Sequence, residues 1–320
     1  MKKRLKLFCT AIVIILLSNT GLVLAQIPSN DKGMGCPPKE KHCKGHQVFD
    51  EGEYDGEFKY GLPHGWGTYT FHDGTVYIGE FMDGLRSGHG QQNFGNGDNF
   101  SGEWRNGLMH GKGVYLWEDA SKYVGTFVEG SMQGKGILTL PNGESYDGEW
   151  KNGLANGEGE YNSLDGTKYT GNHADGKRQG TGVITFRTGD VFIGKWKHGL
   201  ANKKGTFHFA NGDKYICIWA DGEMTGEATY IMMNGEEISG GLNTLEQRIE
   251  GDENMTDQIG PNLGISWYAV ALEYIEAGKY RLAEENFKIA QKFVTPSSDL
   301  NKLIYEQLEL IQDKVEEDGL

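Results

Sequence analysis

Several things are scarce in this chain of 320 residues, and each scarcity excludes something. Four cysteines are too few for a disulfide-dense scaffold. Seven prolines exclude a polyproline rod. Cations are outnumbered, 31 against 45 acids, for a net charge of −14. A chain this acidic repels phosphate backbones, which argues against a general nucleic-acid partner. Reactive signatures are missing as well. There is no Gly-x-Ser-x-Gly, no His-Glu-x-x-His and no phosphate loop. The Gly-x-Gly runs lack the strand–helix setting that dinucleotide binding requires. The sequence nominates no catalytic residue and no cofactor.

Long apolar runs are also missing, except at the start. Lys2, Lys3, Arg4 and Lys6 form a basic opening, Leu7–Leu17 is mostly apolar, and Val23-Leu24-Ala25 precedes Gln26. This reads as an export signal with small residues at both recognition positions. The rival is an uncleaved anchor over residues 7–25, just long enough to span a bilayer, although Ser18, Asn19 and Thr20 interrupt it. Either way residues 26–320 are expected outside the cytoplasm, in a periplasmic or extracellular setting. The first 25 residues hold four cations and no acid, so the remainder carries −18.

Cys36 and Cys43 sit seven apart in a short N-terminal segment, 26–53. In an oxidising compartment a disulfide is the natural reading. Unpaired thiols are an alternative. A zinc site from Cys36, His42, Cys43 and His46 is another, but the spacing matches no common zinc framework. No metal is therefore expected.

What the chain has is glycine: 49 residues, roughly twice the usual ~7%. The glycines are in register. Tyr54-Asp-Gly-Glu-Phe58 recurs as Tyr77–Phe81, Phe100–Trp104, Tyr123–Phe127, Tyr146–Trp150, Tyr169–His173, Phe192–Trp196 and Tyr215–Trp219, always 23 residues on. Eight units without one insertion run from 54 to 237. In each unit glycine stands at the eighth position. It also stands at the third, except Cys217, and the twelfth and fourteenth give Gly-x-Gly. Asn-Gly or Asp-Gly near the end of most units supplies the positive-φ residue of a turn. Alternating stretches such as Thr68-Tyr69-Thr70-Phe71 suit short strands. Each unit reads as one hairpin, too small to be stable alone. Stacking copies would build a ladder from the aromatics at the first and fifth positions. The recurring Glu57, Glu80, Glu103 and Glu149 read as ties within each repeat, since a catalytic carboxylate would be singular.

These residues resemble the MORN family (membrane occupation and recognition nexus). Its pattern Tyr-x-Gly-Glu-Trp-x-x-Gly-x-x-x-Gly-x-Gly is met almost in full by Phe100–Gly113 and Tyr146–Gly159. The resemblance implies a mainly β fold, an elongated, curved single-layer array of hairpins. Its implications for function are broad: lipid association, protein scaffolding or dimer formation. Unit 6 departs at His173, unit 7 carries Lys203 in place of glycine, and unit 8 carries Cys217 and Ala228. Gly45–Gly52 looks like half of an earlier, degenerate unit.

Beyond 237 glycine thins and the periodicity turns helical. Residues 238–262 read as a linker containing a short helix, Leu242–Glu250. Residues 263–320 resemble one tetratricopeptide repeat turning at Ala277-Gly278-Lys279, followed by an amphipathic helix, Ser298–Glu317. One such repeat is short for an independent domain, so it is expected to pack on the last hairpins or on a second copy.

Residues 168–214 stand against the overall acidity, with nine cations and three acids. Lys177, Arg178, Lys195, Lys197, Lys203 and Lys204 are the candidate binding residues for lipid headgroups or an acidic partner. The leading expectation is a non-enzymatic, exported scaffold with a protein partner. The second is binding to anionic lipid or envelope glycan through this patch and neighbouring aromatics.

Overall fold

A computed structural model describes residues 41–317. The export signal, the anchor alternative and Cys36 therefore lie outside the described residues. Cys43, the described half of the expected bridge, is disulfide-bonded. The described chain divides into two compact units, one ending at Gly153 and the other starting at Leu154.

The first unit holds β1 (Cys43–Phe49), β2 (Gly52–Lys59), β3 (Leu62–Phe71), β4 (Val76–Met82), β5 (Leu85–Asn93), β6 (Asn99–Arg105), β7 (Leu108–Leu116), β8 (Lys122–Val128), β9 (Ser131–Thr139) and β10 (Ser145–Lys151). Each pairs antiparallel with its sequence neighbour. The half-repeat before Tyr54 is the strand β1, paired with β2 from Cys43↔Phe58 to Phe49↔Gly52.

Two kinds of turn alternate. At positions seven and eight the chain reverses in two residues, both left-handed, as at Asn106 (φ 52) and Gly107 (φ 79). That is the twist-matched hairpin turn, and it fixes glycine at position eight. The Asp-Gly and Asn-Gly pairs instead close wider turns. At the first, the Gly74 amide donates to the Phe71 carbonyl and the Phe71 amide to the Thr75 carbonyl, and Gly74 alone is left-handed.

The glycines at positions three and fourteen have another cause. Gly56 faces Gly67 across β2 and β3, and the ring of Tyr54 lies flat over both, so a β-carbon on either would overlap it. The ring is pinned there because its hydroxyl donates to the Glu57 carbonyl at 2.9 Å. Tyr77 repeats the arrangement over Gly79 and Gly90, donating to Glu80 at 3.0 Å. The aromatics form the expected ladder. Tyr77 meets Phe81 of its own unit and Trp104 of the next edge-to-face, both at 5.1 Å between ring centres. Phe100 does the same with Trp104 at 5.2 Å and Phe127 at 5.1 Å. Each such pair adds ~0.5–1.5 kcal/mol beyond the area it buries.

Two of the recurring glutamates tie down their own hairpins. Glu80 accepts the His89 amide at 2.8 Å and Glu103 the Lys112 amide at 3.0 Å, beside the left-handed Gly88 and Gly111. Consecutive wide turns are also linked. Asp98 accepts the Glu118 amide at 2.9 Å and the Tyr115 hydroxyl at 2.7 Å, joining one turn to the next.

The second unit continues the pattern with β11 (Leu154–Asn162), β12 (Lys168–Ala174), β13 (Lys177–Thr185), β14 (Val191–Lys197), β15 (Leu200–Ala201), β16 (Lys203–His208), β17 (Lys214–Ala220), β18 (Glu223–Ile231) and β19 (Glu237–Gly241). Four helices follow: α1 (Leu242–Glu250), α2 (Glu253–Glu276), α3 (Tyr280–Lys292) and α4 (Asp299–Glu317). The stretch read as linker is thus largely helical, since α2 begins ten residues before 263 and carries Pro261 within it. Lys203 takes the left-handed conformation that glycine holds in other units (φ 71), and the strand is broken there into β15 and β16. In unit 8 Cys217 and Ala228 are buried where the glycine pair would be, and the Tyr215 hydroxyl has no hydrogen-bond partner among the described residues.

Candidate interaction site

The aromatic face of the second unit is where the chain binds a helix. α2 lies on it and is held by side chains at repeat positions. Arg178, from position ten of unit 6, is nearly buried (5% exposed). Its guanidinium sits 5.3 Å from the ring centres of both Tyr169 and Trp196 and donates to the Gly199 carbonyl at 2.9 Å. It also donates to Oε1 of Glu273 on α2 at 2.6 Å. The other oxygen, Oε2, accepts the Ala201 amide at 2.7 Å. A buried charge is tolerated only when paired and hydrogen-bonded, and here both partners are.

Five residues earlier on α2, the Tyr268 hydroxyl donates to Oδ2 of Asp165 at 2.6 Å, while Oδ1 of Asp165 accepts the Thr167 amide of its own turn at 2.8 Å. Six residues before Tyr268 on α2, Asn262 donates to the Tyr230 hydroxyl at 2.6 Å and to Asp213 at 3.3 Å. Asp213 also links turns as Asp98 does, accepting the Met233 amide at 2.8 Å. The repeat thus offers a row of polar anchors along an aromatic face, and α2 presents matching groups to three of them. α3 backs α2, with Tyr268 and Phe287 5.6 Å apart between ring centres.

The six cationic candidates are not one patch. Arg178 is spent on Glu273 inside the molecule, because its position on the aromatic face is covered by α2. Lys177, Lys195, Lys197, Lys203 and Lys204 are exposed. Lys195 and Lys204 lie on the opposite face: Ile193 pairs with Thr206, Lys195 follows Ile193 by two residues and Lys204 precedes Thr206 by two. The exposed Ile193 and Ile218 flank them. Sequence reasoning missed Glu273, Tyr268 and Asn262 as anchors, because on a helix nothing local distinguishes them from solvated side chains. The signal on the strand side was present: arginine at position ten in two units, where the other six carry Pro, Met or Ala.

His173 stands where other units have a larger aromatic and packs edge-on against Tyr169 at 5.2 Å. Burial, and then the charge of Arg178, push its imidazole down to about 4. On α1, burial pushes the Glu246 carboxyl up to about 7. Among the described residues, no helix is long and apolar enough to cross a membrane.

The MORN repeat model matches seven consecutive stretches, 54–76, 77–99, 100–122, 123–145, 146–168, 169–191 and 192–214. Together they span half of the chain. The chain belongs to the MORN-repeat family. The eighth spacing unit, 215–237, is not among the matched MORN repeats, and it is the one in which two of the repeat's glycines are replaced. No curated protein sequence matches the chain. Among solved structures, the TCP10 domain of Danio rerio CPAP (E1021V mutant) is similar at 16% identity over 60% of this chain and 96% of that one, with a TM-score of 0.35. The SAS-4 TCP domain of Drosophila melanogaster, in complex with a proline-rich motif of Ana2, is 16% identical over 55% and 83%, with a TM-score of 0.26.

Proposed function

We propose that this MORN-repeat protein is an exported, non-enzymatic scaffold whose repeat face binds partner proteins through helices. The observation that carries this reading is the docking of α2. Arg178, Asp165 and Asp213 each hold a group from the helix, so the repeat surface has the chemistry to grip one. The repetition of anchors, without any singular reactive constellation, suits a platform rather than a catalyst. Export rests on the opening 25 residues, and it places the platform outside the cytoplasm. The test is affinity capture with the full-length chain after in-cell cross-linking of the native envelope. The expected outcome is one or a few specific proteins, cross-linked through residues of the repeats. Recovery of none would overturn the reading.

A second reading has its own observation. Lys195 and Lys204 stand beside exposed isoleucines on the face away from α2, a combination suited to an anionic membrane surface. It calls for sedimentation with anionic vesicles that weakens as salt rises, because exposed charges are screened within ~10 Å at 0.1 M, and that is lost in the Lys195→Glu/Lys204→Glu variant.

A further inference from the structure

The grip on α2 has a copy elsewhere. Four repeats before Arg178 stands Arg86, the other arginine at position ten, and several features of its surroundings repeat. Arg178 donates to the Gly199 carbonyl; Arg86 donates to the Gly107 carbonyl, four repeats earlier, at 2.7 Å. Arg178 lies over Tyr169 and Trp196; Arg86 lies over Tyr77 and Trp104, 5.9 and 4.5 Å from the ring centres. The Ala201 carbonyl accepts the Gly222 amide, and the counterpart Met109 carbonyl accepts the Gly130 amide, both at 2.9 Å. The backbone that offers an amide to Glu273 is therefore present in the first unit too.

The carboxylate is what differs. Arg178 has Glu273. Arg86 has the side-chain oxygen of Gln92 and the Gly107 carbonyl, and no acidic partner among the described residues. Burial pushes its guanidinium down to about 10. The second anchor is copied as well. Four repeats before Asp165 stands Asp73, whose Oδ1 accepts the Thr75 amide at 2.8 Å, as Oδ1 of Asp165 accepts that of Thr167. Oδ2 of Asp165 takes the Tyr268 hydroxyl. Asp73 is exposed and has no such donor among the described residues. The third anchor is not copied, since Leu138 stands where Tyr230 would be.

We infer that Arg86 and Asp73 form a second helix-docking site, whose occupant is an α-helix of a partner protein carrying a tyrosine and, five residues later, a glutamate. The glutamate pairs with Arg86 and the Met109 amide, and the tyrosine hydroxyl donates to Asp73, as Glu273 and Tyr268 do in the second unit. This rests on the protein-binding reading above and names the site and the chemistry of its ligand.

The probe is a fluorescein-labelled, hydrocarbon-stapled peptide spanning residues 257–276, titrated into the full chain by fluorescence polarisation. A charge-assisted hydrogen bond of this kind is worth a factor of about ten or more. The expected result is saturable binding that weakens about tenfold in Arg86→Gln and about tenfold with the Glu273→Gln peptide. The two changes together should cost little more than one, because they remove the same interaction. Asp73→Asn, on an exposed turn, should weaken the wild-type peptide and leave the Tyr268→Phe peptide unchanged, and it serves as the second variant should Arg86→Gln fail to fold. No binding, or equal binding by wild type, Arg86→Gln and Asp73→Asn, would overturn the assignment. Self-association of the full chain that disappears in Arg86→Gln would hand the site to a second copy and overturn the partner. Partner capture that persists in Arg86→Gln, alongside unchanged peptide binding, would leave the scaffold reading standing and remove only this site.

Discussion

At the scale of single residues, the 23-residue pattern is a set of separate steric demands. Position eight needs a left-handed residue, and positions three and fourteen need bare backbone under a tyrosine ring. Where a demand is unmet the cost is local. Lys203 holds φ 71, which disfavours a side chain by roughly 1 kcal/mol or more. His173 is the more informative departure. Its folded value near 4 lies below the unfolded value of about 6.5. The unfolded chain therefore binds more protons between those limits, and stability falls as pH drops from about 6.5 toward 4. The gap corresponds to about 3 kcal/mol. His173→Phe, which restores the aromatic of the other units, should flatten this part of the profile. The measurement is urea unfolding of both proteins at pH 7.5 and pH 5. An equal loss in the two would mean that His173 is not the group that titrates.

At the scale of elements, the decisive contact is α2 on the strands. Removing one member of a buried ion pair costs about 3–5 kcal/mol, whereas replacing both by apolar groups is often neutral. Glu273→Ala should therefore unfold the helices at lower denaturant, read from the helical circular dichroism signal. Arg178→Met combined with Glu273→Leu should recover most of the loss. A double variant as weak as the single would mean that α2 is held by its apolar contacts and not by this pair. The strands were legible in the sequence because alternation and glycine spacing repeat seven times over, so chance coincidence averages out. α1 was legible from its flanking composition. The start of α2 was not: residues 253–262 read as linker, yet the helix begins at Glu253 and runs through Pro261, well inside it, where proline ordinarily kinks or ends a helix. The anchor at position ten was hidden for a different reason. Its partner lies 95 residues away, and no local pattern reports a contact at that distance.

At the scale of the whole chain, the expected behaviour is that of a one-dimensional array, in which each repeat is stabilised chiefly by its neighbours. Two glycines allow this to be measured with the local cost held fixed. Gly107 and Gly235 are both left-handed, at φ 79 and 90. A β-carbon on Gly235 would meet nothing within 4 Å, and one on Gly107 only the tip of Leu85 at 4.0 Å. Valine at either site therefore imposes backbone strain of the same kind, roughly 1 kcal/mol or more, with its β-carbon in open space. What differs is the company. Gly107 turns between β6 and β7, and its amide donates to the Arg86 carbonyl of the preceding repeat, while Gly235 closes the last wide turn, between β18 and β19. Strain at Gly107 should spread to hairpins on both sides, with faster amide exchange in β4–β9, whereas Gly235→Val should loosen β18 and β19 alone. Hydrogen exchange read peptide by peptide checks this. Equal and strictly local loosening at both sites would show that the hairpins are not coupled, and no loosening at Gly107 would show that the turn does not need glycine there.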